Sequence, residues 1–170
     1  MIGMSTKNLT LRRYTRQDDE RIVEITKLAW PDVTIWKKLE DRYGPTEGKT
    51  WWRYKVEPLL KRAKEDPEKF IIAVWEELVV GYATFSVDDA TKIGEVLDNA
   101  VDPAFGGRGI GSAMHKDVLR SLKQTGMKLV KVGTGLSDEQ LPARKLYEKH
   151  GFNEIFRSIL YFRRLDDLEF

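Results

Sequence analysis

The strongest constraint on the fold lies between residues 93 and 134. An apolar run, IGEVLDNAV (93–101), leads into a turn with glycines at 106, 107, 109 and 111; a helix-like run follows, and a second apolar run, KLVKVGT, covers 128–134. From Gly107 to about Thr125 the apolar residues Ile110, Met114, Val118 and Leu122 recur at spacing four, which marks one helix face, and Gly126 supplies the stop. Two strands joined by a helix of this length normally lie parallel.

The flanking patterns are different. NLTLRRY (8–14) reads as a first strand, and TRQDDERIVEITKLAW (15–30) as a helix with Thr15 as its cap. Residues 31–54 read as irregular and rich in aromatics, and VEPLLKRAKED (56–66) as a helix with Pro58 in its first turn. KFIIAVWE (69–76) and LVVGYATFSV (78–87) form a hairpin turning at Glu76-Glu77. LPARKLYEKH (141–150) reads as a last helix and NEIFRSILYFRR (153–164) as a closing strand. The expected fold is α/β: a mixed, mostly antiparallel sheet with helices on both faces, in one domain spanning residues 1–170.

A strand, a glycine turn and a helix make an anion site, because the first helical N–H groups lack partners and the helix dipole favours negative charge there. Gly106, Gly107, Arg108, Gly109, Ile110, Gly111 and Ser112 present the N–H ring, and the Arg108 guanidinium adds charge. Spacing argues against two familiar phosphate loops. A P-loop needs Lys and Ser/Thr where Ser112 and Ala113 stand, and a dinucleotide fingerprint needs a third glycine where Ser112 stands.

Composition narrows the function classes. The 29 basic and 27 acidic residues nearly balance, which argues against a nucleic-acid binder. There is no cysteine and only two histidines, so no metal centre is expected. No run approaches the roughly 18 apolar residues of a membrane span, and MIGMSTKNLTLRRY lacks a secretory apolar core, so the expected location is cytoplasmic with no membrane partner.

The second half of the chain, about 69–162, resembles the GNAT superfamily of acyl-CoA-dependent N-acyltransferases. VDPAFGGRGIG matches the family's Arg/Gln-x-x-Gly-x-Gly/Ala motif and its approach at Val101, Asp102, Pro103, Gly109 and Gly111. QLPARKLYEKHGF matches a second motif at Ala143, Leu146, Tyr147, Gly151 and Phe152. Two positions depart: Gly106 replaces the usual Arg/Gln, and Gln140 the usual Asn. The resemblance implies a splayed parallel strand pair, here 93–101 and 128–134, with the acetyl-CoA diphosphate on Gly106 to Ser112 and its pantetheine arm along Asn99, Ala100 and Val101. It also brings Gln140, Lys145 and Tyr147 to the cofactor.

The chemistry implied is direct attack of a primary amine, of a small molecule or peptide, on the acetyl thioester. Glu95 is the candidate base, with Asp98 as the alternative, and Tyr147 is the candidate acid for the departing thiolate. His115, placed off the apolar stripe, and His150 both read as structural. The aromatics of 30–54 read as a substrate wall, as core or as a dimer contact, with at least half of them simply packed. The acids Glu40, Asp41 and Glu47 beside them can attract a cationic amine. The terminal strand RSILYFRRL can join a partner sheet, so a homodimer is an expected assembly by analogy with the family. A non-catalytic acyl-CoA sensor is the competing function, and an interaction module that keeps the fold but not the ligand is a third reading, to which Gly106 in place of Arg/Gln lends weight.

Overall fold

The computed structural model describes residues 8–166 and 168; the first seven positions of the amino-terminal reading lie outside them. Five strands lie side by side in chain order: β1 (Leu9–Arg13), β2 (Phe70–Trp75), β3 (Leu78–Asp88), β4 (Ile93–Val101) and β5 (Leu129–Val132). The first four pair antiparallel, and β4 pairs with β5 in parallel. The β2–β3 hairpin turns at Glu76 and Glu77, both at positive φ (46° and 70°), which a two-residue hairpin with the right twist requires.

Helices cover both faces. α4 (Ile110–Gln124), the crossover between β4 and β5, puts Ile110, Met114, Val118 and Leu122 against Ile71, Ala73, Ala83, Phe85 and Val96. The helix sits close because β4 carries no side chain at Gly94, where a Cβ would lie 2.5 Å from Leu122 Cδ2. On the other face, α1 (Asp19–Ala29) and α3 (Trp51–Glu65) bring Ile22, Ile25, Leu59 and Ala63 against Phe70, Ile72, Tyr82 and Ala100. Among the described residues no helix is long and apolar enough to cross a membrane.

Several boundaries differ from the sequence reading. The stretch 31–54 is not irregular throughout: it holds α2 (Ile35–Tyr43), capped by Thr34, whose side chain accepts from the Trp36 N–H at 3.4 Å, and stopped by Gly44 at φ 84°. α3 begins at Trp51, five residues before the expected start, so Pro58 lies inside the helix; Glu40 of α2 accepts the Trp51 N–H at 2.6 Å and supplies the cap that the sequence pattern did not show. α4 begins at Ile110 rather than Gly107, because Gly107 and Gly109 adopt φ values of 73° and 78° that a right-handed helix excludes.

The largest correction is at the carboxyl end. Residues 153–164 form no strand. They are exposed, with Ile155 at 92%, Phe156 at 81% and Tyr161 at 87% of full accessibility. Their recorded polar contacts across the fold go to the end of α2: the Tyr43 hydroxyl donates to the Phe162 carbonyl at 3.4 Å, and Arg164 donates to the Tyr43 carbonyl at 2.9 Å. An apolar run of strand composition makes a strand only when a neighbouring strand pairs with it.

Candidate active site

The glycine loop follows β4 directly. Asp102 caps the short turn Pro103–Phe105 by accepting the Ala104 N–H at 2.9 Å, and it is also ion-paired with Arg21 of α1, so the loop's entry is tied to the opposite face. Gly106 donates its N–H to the Pro103 carbonyl at 3.1 Å and therefore leaves the donor ring expected from the sequence. The ring begins at Gly107. The first N–H of α4 to find its helical acceptor is that of Ala113, which bonds Gly109 O at 3.0 Å, so Ile110, Gly111 and Ser112 expose the donors of a helix start. Nothing lies within 4 Å of a Cβ placed on Gly107 or Gly109, so the space over the loop is open. The Arg108 guanidinium lies 5.3 Å from the Trp75 ring centre and 5.1 Å from that of Phe105, within reach of the same opening.

β4 changes character along its length. From Ile93 to Val96 it pairs with β5; beyond Val96 no strand among the described residues pairs on that side. A bulge against β3 falls here, where Phe85 pairs with Val96 but Ala83 pairs with Asn99. The Asp98 N–H bonds the Thr84 hydroxyl at 3.0 Å and the Asp102 N–H bonds Val80 O at 2.8 Å, both on the β3 side. By strand alternation Ala100 also serves β3, and the N–H and C=O groups of Asn99 and Val101 point to the open edge. Of the three edge residues expected from the sequence, Asn99 and Val101 are thus placed to pair with a ligand backbone, while Ala100 is buried in the core.

Helix α5 (Leu141–Lys149) closes the site from the side. A methyl group on Gly111 would touch Leu146 and Val101, both at 3.8 Å, so the start of α4, the end of β4 and α5 meet at this glycine. Tyr147 is buried, and its hydroxyl oxygen accepts from the Asn99 side-chain amide at 3.2 Å. That leaves the phenolic proton free to be donated, and burial, the largest cause, raises its pKa above the ordinary range despite the lowering by Asn99. His115 packs on Tyr147, His150 and Phe152 with ring centres 5.0 to 5.5 Å apart. It is buried rather than off the stripe, and burial first, then the neighbouring His150, lowers its pKa to about 4.

The two carboxylates have different surroundings. Gly94 and Val96 face α4, so Glu95 points to the α1–α3 side, where it meets Lys131 of β5 at 3.0 Å; Glu95 is 34% and Lys131 64% exposed. The bulge returns Asp98 to that same face three residues later, where it is buried between Lys55 and Arg62 of α3 and ion-paired with both. Lys55 also stands 3.6 Å over the Trp30 ring. With two cations on it, Asp98 is committed to tying α3 to β4.

Gln140 lies over Gly135 and accepts from the Ser137 hydroxyl at 3.3 Å, so its amide is engaged with the β5–α5 connection. Lys145 is exposed on α5. The aromatic region is mainly packing: Trp36 stacks on Tyr54 at 4.8 Å, Trp51 is buried and Lys27 sits 3.8 Å over Trp52. Of its acids, Glu40 caps α3 and Asp41 pairs with Lys37. The sequence reading missed Arg21, Lys55 and Arg62; nothing in their local pattern marks them, since each meets its partner across the fold.

Comparison with known proteins bears on the family and the fold. The acetyltransferase (GNAT) family model matches residues 22–152. An uncharacterized N-acetyltransferase of Methanocaldococcus jannaschii is 26% identical over 155 residues, covering 87% of this chain; the chain spans 62% of that relative's length. Among solved structures, the PaiA N-acetyltransferase of Thermoplasma acidophilum in complex with coenzyme A superposes with a TM-score of 0.67 at 17% identity, over 85% of this chain and 89% of the other. Ard1 of Thermoplasma volcanium gives 0.63 at 24% identity, over 86% and 83%. The chain belongs to the acetyltransferase (GNAT) family.

Proposed function

We propose that this family member is an N-acetyltransferase that moves an acetyl group from acetyl-CoA to a primary amine of a small molecule or peptide by direct attack. The observation that carries the reading is one juxtaposition: the open N–H ring of Gly107 to Ser112 adjoins the unpaired edge at Asn99 and Val101, and the Tyr147 hydroxyl stands at that edge on Asn99. The donor set fits the cofactor's chemistry. Backbone N–H groups at a helix start suit a diphosphate, and an unpaired strand edge suits the amides of a pantetheine arm. Acetyl-CoA supplies the activated acetyl thioester.

The chain's own residues do the rest. A primary amine has a pKa of about 10.4 and needs a base at neutral pH. Glu95 serves, directly or through water, once it is released from Lys131, a mostly exposed partner that holds it weakly. Asp98 is less suited, being held by two cations. The N–H groups at the open edge stabilise the developing oxyanion, and Tyr147 donates to the departing sulfur. Arg108 and Lys145 add positive charge for the cofactor phosphates.

A second reading, acyl-CoA binding without catalysis, is favoured by one observation: each carboxylate on this stretch of β4 already has a cationic partner. Thermal unfolding with acetyl-CoA, CoA, ATP and NAD in parallel tests the common part. At a hundred times its dissociation constant a ligand adds about 2.7 kcal/mol, several degrees for a domain of this size. Stabilisation by the two CoA compounds alone supports the reading, and no shift with either overturns it. Turnover with an amine panel, lost in Glu95→Gln and Tyr147→Phe while CoA binding stays, separates enzyme from sensor.

Two further proposals concern setting. A cytoplasmic location suits a user of acetyl-CoA. A homodimer is supported by the exposed apolar segment 153–164, which carries apolar residues on both faces if read as a strand, and by the outer edge of β5, which has no neighbouring strand among those described. Light scattering on the purified protein tests it: a monomer at micromolar concentration sinks it.

A further inference from the structure

The last turn of α5 lands on the first turn of α4, and the two are joined by one hydrogen bond that the reaction scheme above does not use. Ser112 Oγ lies 2.9 Å from His150 Nε2. Ser112 is also one of the first three residues of α4, whose N–H groups open onto the glycine loop. His150 is kept in place by its own backbone, which bonds the Leu146 and Tyr147 carbonyls at 3.2 and 2.9 Å, and by the ring of His115 at 5.0 Å. One side chain at the end of the second motif thus reaches the helix start that belongs to the first.

The bond has two possible proton arrangements. If Ser112 donates to His150, the hydroxyl is spent. If the His150 ring donates from Nε2, the serine oxygen accepts and its own proton is free for a second acceptor. An anion at the helix start selects the second arrangement, because only then does the hydroxyl point a donor at it. We propose that His150 is a positioning residue for the cofactor diphosphate: by donating to Ser112 Oγ it turns the serine hydroxyl toward the glycine loop, and it takes up a proton when the anion is bound. This rests on the acetyl-CoA reading given above.

The charges around His150 give the proposal its pH signature. Lys116 on α4 and Lys149 on α5 face it as cations, and His115, neutral down to about pH 4, faces it from α4. Burial first, then the two lysines, holds His150 below its ordinary range, so it is neutral in the free protein at neutral pH. A bound anion opposes the lysines and favours the imidazolium. Binding therefore takes up a proton, and affinity increases as pH falls from neutrality into the histidine range.

The test is calorimetric binding of dephospho-CoA, which keeps the diphosphate but lacks the titrating 3′-phosphate, from about pH 8 to about pH 5.5 in buffers of different ionisation enthalpy. The wild-type protein is expected to bind roughly five- to tenfold tighter at the acid end, with measurable proton uptake. His150→Gln is expected to bind within about twofold of wild type at the alkaline end and to lose both the slope and the proton uptake. Ser112→Ala, an independent variant that removes the link but not the histidine, should lose the slope and bind more weakly throughout. A His150 ring resonance that titrates at higher pH with ligand than without, a shift lost in Ser112→Ala, supports the same conclusion, since a through-space effect of the anion would survive that variant. A slope retained in His150→Gln, or wild-type binding with no slope, overturns the proposal and leaves the acetyl-CoA reading standing. No binding by folded wild-type protein overturns both.

Discussion

The two faces of the sheet are built differently. On the α4 face the centre of the contact is dry, with Val96, Phe85 and Ala83 against Ile110, Met114, Val118 and Leu122, and polar ties stand at the edge strand, where Arg13 of β1 donates to Ser121 Oγ at 3.0 Å and pairs with Asp117. On the α1–α3 face the aliphatic contacts are interrupted by polar ties, among them Asp98 with Lys55 and Arg62, Arg21 with Asp102, and the Tyr82 hydroxyl with Thr26 Oγ1 at 2.8 Å. The dry face fixes the position of α4, and so of the glycine loop at its start. The polar face fixes where the β4 carboxylates stand and what holds them. The bulge in β4 lets one strand serve both purposes, since it puts Glu95 and Asp98 on the same face at a spacing that plain alternation forbids.

That contrast can be broken most strongly on the dry side. Met114→Ala removes a fully buried side chain between β3 and α4 and is expected to cost about 2–5 kcal/mol, read as a lowered denaturant midpoint with unchanged slope. The next effect is a pH dependence. His115 has a folded pKa of about 4, below its ordinary 6.5, so the stability it contributes as a neutral group is present above pH 6.5 and is lost as pH falls from there toward 4. The loss is at most about 3 kcal/mol, and His115→Phe should flatten the stability profile across that window.

On the polar side, Asp98→Ala leaves Lys55 and Arg62 without their carboxylate and should cost about 2 kcal/mol in chemical unfolding, less than a fully buried pair because Arg62 is partly exposed. Glu95→Gln is the sharpest complement. It should change stability by less than about 0.5 kcal/mol, since it breaks only an exposed pair, yet lower turnover about a hundredfold. Equal stability losses at Glu95 and Asp98 would remove the distinction between the proposed base and the carboxylate held by two cations.

Much of the local geometry of the candidate site was legible in the sequence because the donors it offers are backbone groups. Glycines at 107 and 109 followed by a four-residue apolar repeat specify a helix start with free N–H groups wherever they occur, and the structure has one there. The element order and the β2–β3 hairpin were legible for the same local reason. The early start of α3 was not, because its cap is Glu40, eleven residues upstream on another helix. Nor was the engagement of the Gly106 N–H, which depends on the turn that Pro103 begins. The segment 153–164 has the composition of a strand, but its pairing is a property of a neighbour and not of the segment.

By itself, then, the sequence determined the strand–loop–helix–strand order, the helix start at the glycines and the place of Tyr147 on a helix near it, because these follow from short-range steric and hydrogen-bonding rules. Only the tertiary structure decided which carboxylate is committed to cations, which amides of β4 face an open edge, that Ala100 is core, and that His150 reaches Ser112. Each of those depends on a contact between residues distant in the chain, and no local pattern encodes the geometry of such a meeting.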